Sequence, residues 1–251
     1  MDAKNKEKPV TALVVGASGN TGRLLVKELL NRGVHVTIII RSLEKMQEDV
    51  KNHPHLSIIR ANILELCETE MAHHVHGCNA VASCLGHNMT LKGIFGHPRM
   101  LVTDATRKLC DAIKENNPEH RVKFVLMNTA GNSNRDIPER VSFAQRCITS
   151  VIRLLLPPHL DNERAADYLR TEIRQDHNTI EWAVVRPDSL KDEDQTTAYN
   201  VYDSPTRSAI FNPGVTTRIN VAHFMADLIV NDEQWHNWKG KMPVIYNKVS
   251  P

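Results

Sequence analysis

The chain has no two cysteines close in sequence. Cys67, Cys78, Cys84, Cys110 and Cys147 are odd in number and scattered, with no CxxC spacing. That argues against a disulfide framework and against a cysteine-rich zinc site. No run approaches the roughly 18 apolar residues needed to cross a bilayer. The first nine residues, Met1 to Pro9, are charged and polar and lack the apolar core of a secretory leader. Charge of one sign is missing too: 31 Lys and Arg against 29 Asp and Glu leave a net +2. Without a basic field, neither nucleic acid nor an anionic membrane surface is the expected partner. These absences predict a cytoplasmic protein, with residues 1–9 a flexible tail and residues 10–251 one domain.

What is present is alternation. Short β-rich runs (Val10–Val15, Val34–Ile40, Leu56–Arg60, Ala80–Cys84, Val122–Met127, Glu181–Val185) are separated by amphipathic stretches around Thr21–Arg32, Glu65–Val75, Met100–Glu115 and Asn162–Arg174. That pattern predicts an α/β fold, a doubly wound parallel sheet of the Rossmann type. Two segments break the rhythm. Arg140–Leu156 sets Ala144, Cys147, Ile148, Val151, Ile152 and Leu155 at helical spacing before Pro157-Pro158. This predicts an extra amphipathic helix, read first as a cap over the cleft and otherwise as a homodimer face or a membrane-surface helix. Lys191–Gly214, rich in Asp, Ser, Pro and Thr, reads as irregular structure over the strand ends, either part of the substrate site or a plain surface loop.

The sharpest motif is Gly16-Ala17-Ser18-Gly19-Asn20-Thr21-Gly22, set between a β-branched strand and an amphipathic helix. A dinucleotide pyrophosphate needs close backbone approach. Gly16 turns the chain off the strand, Gly19 admits the phosphates, and Gly22 lets helix and sheet pack tightly. The helix N-terminus then offers unpaired N–H groups and partial positive charge. The second strand ends Ile40-Arg41-Ser42, with no carboxylate before Glu44. A carboxylate there would hold the ribose hydroxyls of NAD; a guanidinium and a hydroxyl suit the 2′-phosphate of NADP(H).

The GxxGxxG spacing together with Arg41 resembles the atypical branch of the short-chain dehydrogenase/reductase superfamily, which includes NmrA-like proteins, flavin reductases and biliverdin-IXβ reductase. The resemblance implies that Ala61-Asn62 lies near the adenine, where relatives usually carry an aspartate. It also implies that Leu85-Gly86 passes beneath the adenine-side ribose and that Pro187 approaches the nicotinamide. By the same resemblance Thr129, in Met127-Asn128-Thr129-Ala130-Gly131, stands at the family's serine position. Asn162 stands where relatives carry a lysine or histidine.

The usual tyrosine–lysine proton-donor pair has no counterpart at its spacing. Tyr168 is followed four residues on by Glu172, Tyr199 by Asp203, Tyr202 by Thr206 and Tyr246 by Ser250. Asn162 can orient a polar group but cannot transfer a proton near neutral pH, and either it or Asp161 could simply cap a helix. His159 and His87 have a suitable pKa for proton transfer, though a lone histidine is more often structural. His73-His74-Val75-His76 reads as a solvated helix end, since neighbouring helix residues point apart and no metal partner stands at the right spacing. The expected activity is hydride transfer between NADP(H) and a small-molecule acceptor, a flavin, a quinone or a conjugated carbonyl. The alternative is an NmrA-like redox sensor that binds NADP(H) without catalysis and acts through a protein partner.

Overall fold

A computed structural model describes residues 9–248 apart from 45, 47, 88–89, 91–94 and 141. The tail expected over residues 1–9 lies, except for Pro9, outside them. The strands are β1 (Thr11–Val15), β2 (His35–Ile40), β3 (Leu56–Arg60), β4 (Ala80–Ser83), β5 (Val122–Met127), β6 (Ile180–Pro187), β7 (Ser189–Lys191), β8 (Tyr199–Tyr202), β9 (Val215–Thr217) and β10 (Val244–Asn247). The helices are α1 (Asn20–Asn31), α2 (Glu48–Lys51), α3 (Glu68–Val75), α4 (Leu101–Asn116), α5 (Phe143–Leu155), α6 (Pro157–Tyr168), α7 (Arg218–Val230) and α8 (Asp232–Trp238), with a π turn, Leu169–Ile173, closing α6.

The main sheet runs β3-β2-β1-β4-β5-β6-β10-β8. All its pairings are parallel except β10 with β8. The order reverses direction between β1 and β4, the crevice where doubly wound sheets bind ligands. Because strand side chains alternate, each strand feeds two cores. Ala12, Val14, Val36, Ile38, Val125, Ala183 and Val185 pack with α1 and α7. Leu13, Val15, Ile39, Phe124, Leu126, Trp182 and Val184 pack with α3, α4 and α6. Burial on both faces explains why β1 and β4 read as continuous apolar runs rather than as alternating ones.

Local chemistry fixes the helix ends. Asn117 stops α4 in the left-handed conformation just before Pro118, and Ser142 caps α5 by accepting from the Gln145 N–H. The helix expected from Glu65 begins at Glu68, because Glu70 reaches back to the Cys67 N–H at 2.8 Å and sets the start. Pro157 stands in the first turn of α6, which therefore starts five residues before the expected Asn162.

Two expectations need correction. Lys191–Gly214 is not all irregular: it contains β8, which pairs antiparallel with β10 and completes the sheet edge. Arg140–Leu156 does hold the extra helix, but its stripe is not buried as a lid. Val151 is 54% and Leu155 58% exposed, and Ala144 and Cys147 are exposed as well. Ile148 and Ile152 are half-buried. Polar side chains join α5 to α6 instead: Arg153 donates to both carboxylate oxygens of Glu163, at 2.6 and 2.8 Å.

Candidate functional site

The turn after β1 is built from backbone in close contact. Gly16 adopts φ +74°, and a Cβ there would lie 2.4–2.6 Å from the backbone of Cys84 and Leu85 at the end of β4. A Cβ on Gly22 would lie 2.2 Å from the Gly16 carbonyl oxygen. Gly22 thus permits the turn to fold onto itself, a tighter demand than the helix–sheet packing expected of it. The Gly19 N–H bonds to the Gly16 carbonyl at 3.0 Å, and Gly19 then serves as N-cap with no side chain covering the helix end. No acidic residue stands in the first turn of α1. The N–H groups of Asn20, Thr21 and Gly22 have no partner within the helix, the arrangement that receives an anion. Ser18 is half-buried, Asn20 exposed and Thr21 buried.

Around this turn the other nucleotide candidates fall unevenly. Arg41 is exposed just past β2 and makes no ion pair among the described residues. Ser42 is exposed too, its hydroxyl accepting the Glu44 N–H at 3.2 Å in a local turn. Asn62 is already engaged: its amide donates to Glu65 at 2.7 Å and its oxygen accepts from the Leu64 N–H at 3.3 Å. Leu85 is half-buried against the α3–α4 core and Gly86 is exposed. Pro187 is buried at the end of β6, its carbonyl accepting the Ala130 N–H at 2.8 Å.

The turn after β5 meets α6. A Cβ on Gly131 would lie 3.7 Å from both the Thr129 hydroxyl and His159 Cε1, which places those two candidates together. The Thr129 oxygen accepts the Gly131 N–H at 3.2 Å, so its proton remains to be donated. Asn128 donates its side-chain amide to the Asn162 carbonyl at 2.8 Å, stitching the turn to the helix. Asn162 takes part through its backbone, and its half-buried side-chain amide makes no hydrogen bond among the described residues. His159 Nε2 stands 3.5 Å from Glu163 Oε1, an ion-pair distance too long for a well-formed hydrogen bond. Burial alone would raise the Glu163 pKa, but the neighbouring His159 and Arg153 outweigh it and hold the carboxyl at about 2.

Sequence reasoning missed three long-range groups. Asp161, fully buried, caps α4 rather than its own helix. It accepts the N–H groups of Val102 and Thr103 at 2.8 and 2.9 Å. His87 is structural, as a lone histidine usually is: its side chain is buried and its Nε2 lies 2.7 Å from Asp161 Oδ2. Arg186, fully buried at the end of β6, donates to the carbonyls of Met242, Asn132 and Asp203 and pairs with Glu139 at 2.7 Å. Spacing could not reveal these, because their partners are brought in by the fold. A tyrosine–lysine contact does form in space, Lys114 Nζ to Tyr168 at 3.4 Å. It lies near the C-terminal end of α4, far from the strand carboxyl ends. The histidines 73, 74 and 76 gather no ligands: no metal-binding group of three occurs among the described residues.

Residues 16–232 match the family described as NAD(P)H-binding. The chain belongs to that family. Solved structures similar to this NAD(P)H-binding protein share its fold at low identity. An oxidoreductase from Lactococcus lactis is 19% identical with a TM-score of 0.66, covering 96% of this chain and 92% of its own. A wide-type short-chain dehydrogenase/reductase from Veillonella parvula, in complex with NADP, is 15% identical with a TM-score of 0.67 and coverage of 96% and 95%. An anaerobillin reductase from Escherichia coli O157:H7 is 14% identical with a TM-score of 0.66 and coverage of 96% and 100%. In sequence, an uncharacterised chloroplastic protein of Arabidopsis thaliana is 39% identical over 64 residues, 26% of this chain and 23% of that protein. The fold is thus the doubly wound NAD(P)-binding fold expected from the glycine turn. No helix among the described residues is long and apolar enough to cross a membrane.

Proposed function

We propose that the protein is an NADP(H)-dependent oxidoreductase acting on a small-molecule acceptor, a flavin, a quinone or a conjugated carbonyl. The supporting observation is that the glycine turn and the Thr129–His159 pair share the carboxyl edge of one parallel sheet. The turn suits a dinucleotide because its clearances exclude a Cβ at Gly16 and Gly22 and its helix end is bare of acid. The N–H groups of α1 would hold the pyrophosphate, and Arg41 would take the 2′-phosphate with Ser42 beside it. Leu85, Gly86 and Pro187 would line the rest of the groove. Asn62, already bonded to Glu65, would give the adenine edge shape rather than hydrogen bonds.

When bound, the nicotinamide supplies hydride transfer. Thr129 would donate its free proton to an acceptor oxygen or to the carboxamide and so fix orientation. His159, half-buried beside it, would carry a proton to or from the acceptor, with Glu163 keeping the ring in place and Arg153 holding Glu163. Asn162 would act by anchoring the turn through its carbonyl. All five cysteines are free thiols, which supports the cytoplasm as the compartment.

The second reading is the non-catalytic sensor, favoured by one observation. The apolar side chains Val151 and Leu155 on α5 are open to a partner, including a second copy of this chain. The experiment is to follow NADPH absorbance with a panel of flavins, quinones and conjugated carbonyls. Turnover with any member supports the enzyme. Tight NADPH binding without turnover across the panel selects the sensor.

A further inference from the structure

The edge pair β8–β10 carries a cavity that the nucleotide reading does not use. The two strands are antiparallel, with Val244 opposite Tyr202 and Tyr246 opposite Asn200. Side chains alternate, so these four share one face of the sheet. Ile245, Val201 and Tyr199 point the other way and join the core under α1 and α7. On the first face the segment 203–214 takes the place of a helix and leaves a cavity of ≈ 550 Å³, walled by Tyr202, Arg207, Gly214, Val215, Tyr246 and Lys248 among others.

The walls have a definite chemistry. Gly214 lies flat on the Tyr246 ring: a Cβ there would be 2.2 Å from Cδ1 and 2.5 Å from Cε1. The absence of a side chain keeps that wall smooth. Tyr202 and Val215 are each 38% exposed, so apolar surface is left open at the mouth. Two cations stand at the same cavity, and neither Arg207 nor Lys248 makes an ion pair among the described residues. Asp188 lies within electrostatic reach of Arg207, but it is half-buried, accepts the Gly214 N–H at 2.8 Å and does not line the cavity. Burial raises the Tyr246 hydroxyl pKa, and the backbone of Thr206 and Arg207 and the Thr206 side chain bond to it from the loop side.

We propose that this cavity is a second small-molecule site, and that its ligand is a planar aromatic carboxylate. The ring lies against Tyr202 and Val215, where aromatic faces and apolar surface favour a flat group. The carboxylate meets the guanidinium of Arg207, which matches it with two parallel N–H donors, and the ammonium of Lys248. The site is separate from the Thr129 turn. Neither Thr129 nor His159 lines the cavity, and Tyr246, which does, packs on Ala130 beside that turn.

Calorimetric titration of the full-length protein with 2-naphthoate tests this. The wild type should bind one equivalent saturably, and NADPH should not compete. The Arg207→Gln/Lys248→Gln double variant should bind at least about tenfold more weakly, the scale of one lost charged contact. Uncharged 2-naphthamide should bind wild type and double variant alike. Melting temperature and NADPH affinity check that the variant is folded. Tyr202→Ala, at the open rim, provides an independent loss of binding if it is not. Thr129→Val should leave naphthoate binding unchanged, which separates this site from the proposed hydride site. Absence of saturable binding, equal binding by the charge variant, or displacement by NADPH would each overturn the proposal.

Discussion

The turns after β1 and after β5 stand at the same edge of one sheet and are built in opposite ways. The first works by leaving things out. Gly16 and Gly22 lack side chains because backbone lies where a Cβ would go, and the first-turn N–H groups of α1 are left unpaired. The second works by tying things together. Asn128, Asn132, Asp161, Glu163 and Arg186 spend their hydrogen-bonding capacity within the protein. One turn is preorganised for an anion from outside, whereas the other is a rigid frame that holds Thr129 and His159 in register. A phosphate site needs open donors, and a site for positioning chemistry needs closed ones.

The contrast can be broken most severely at Arg186. Arg186→Met removes a fully buried cation and leaves Glu139 uncompensated, with an expected loss of about 3–5 kcal/mol in urea or thermal unfolding. An unchanged melting temperature would remove the frame from the account. Gly22→Ala attacks the other turn. Its Cβ meets a carbonyl oxygen that cannot yield, so roughly 3 kcal/mol of stability, the upper end for overpacking, should go. NADPH affinity should fall with it. A variant that keeps both would show that the turn has slack the close contacts deny.

Glu163→Gln should be milder, on the order of 2 kcal/mol near neutral pH. The carboxyl is held at about 2 in the fold against an ordinary value of 4.5. A depressed pKa stabilises fully above the unfolded value, and that share is lost as the pH falls from about 4.5 towards about 2. Acid unfolding curves should therefore steepen in that window for wild type and flatten for the glutamine variant. Identical curves would mean that Glu163 is not held as described. Thr129→Val should have the smallest effect. Loss of one neutral hydrogen bond costs about 0.5–1.5 kcal/mol, or about two- to tenfold in turnover. NADPH affinity should be unchanged, so a shift in affinity without a change in turnover would place Thr129 on the nucleotide side.

The two turns also differ in what the sequence reveals. The glycine turn was legible because its causes are local: seven consecutive residues between a strand and a helix specify it. The strands β1 and β4 were legible because burial on both faces leaves apolar runs, and the edge strand β3, with no fully buried residue, was legible from its β-branched pair Ile58-Ile59. Asp161 and His87, 74 positions apart, were not. Neither was Arg186, whose partners lie at 132, 139, 203 and 242. Strand β8 hid in a polar segment because an edge strand with one face under a loop need not be apolar. The α5 stripe was read as buried because periodicity reports an apolar face, not what covers it.

The central claim is that the turn after β1 and the end of β2 hold NADP(H), and Arg41 tests it most directly. NADPH and NADH are titrated into wild type and into Arg41→Ala. The wild type should prefer NADPH. The variant should lose about 1.5–3 kcal/mol for NADPH, the range for a hydrogen bond to a charged group, or roughly ten- to a hundredfold in Kd. NADH affinity should barely move, so the preference should collapse. A wild type that prefers NADH, or equal weakening of both nucleotides in the variant, would contradict the account.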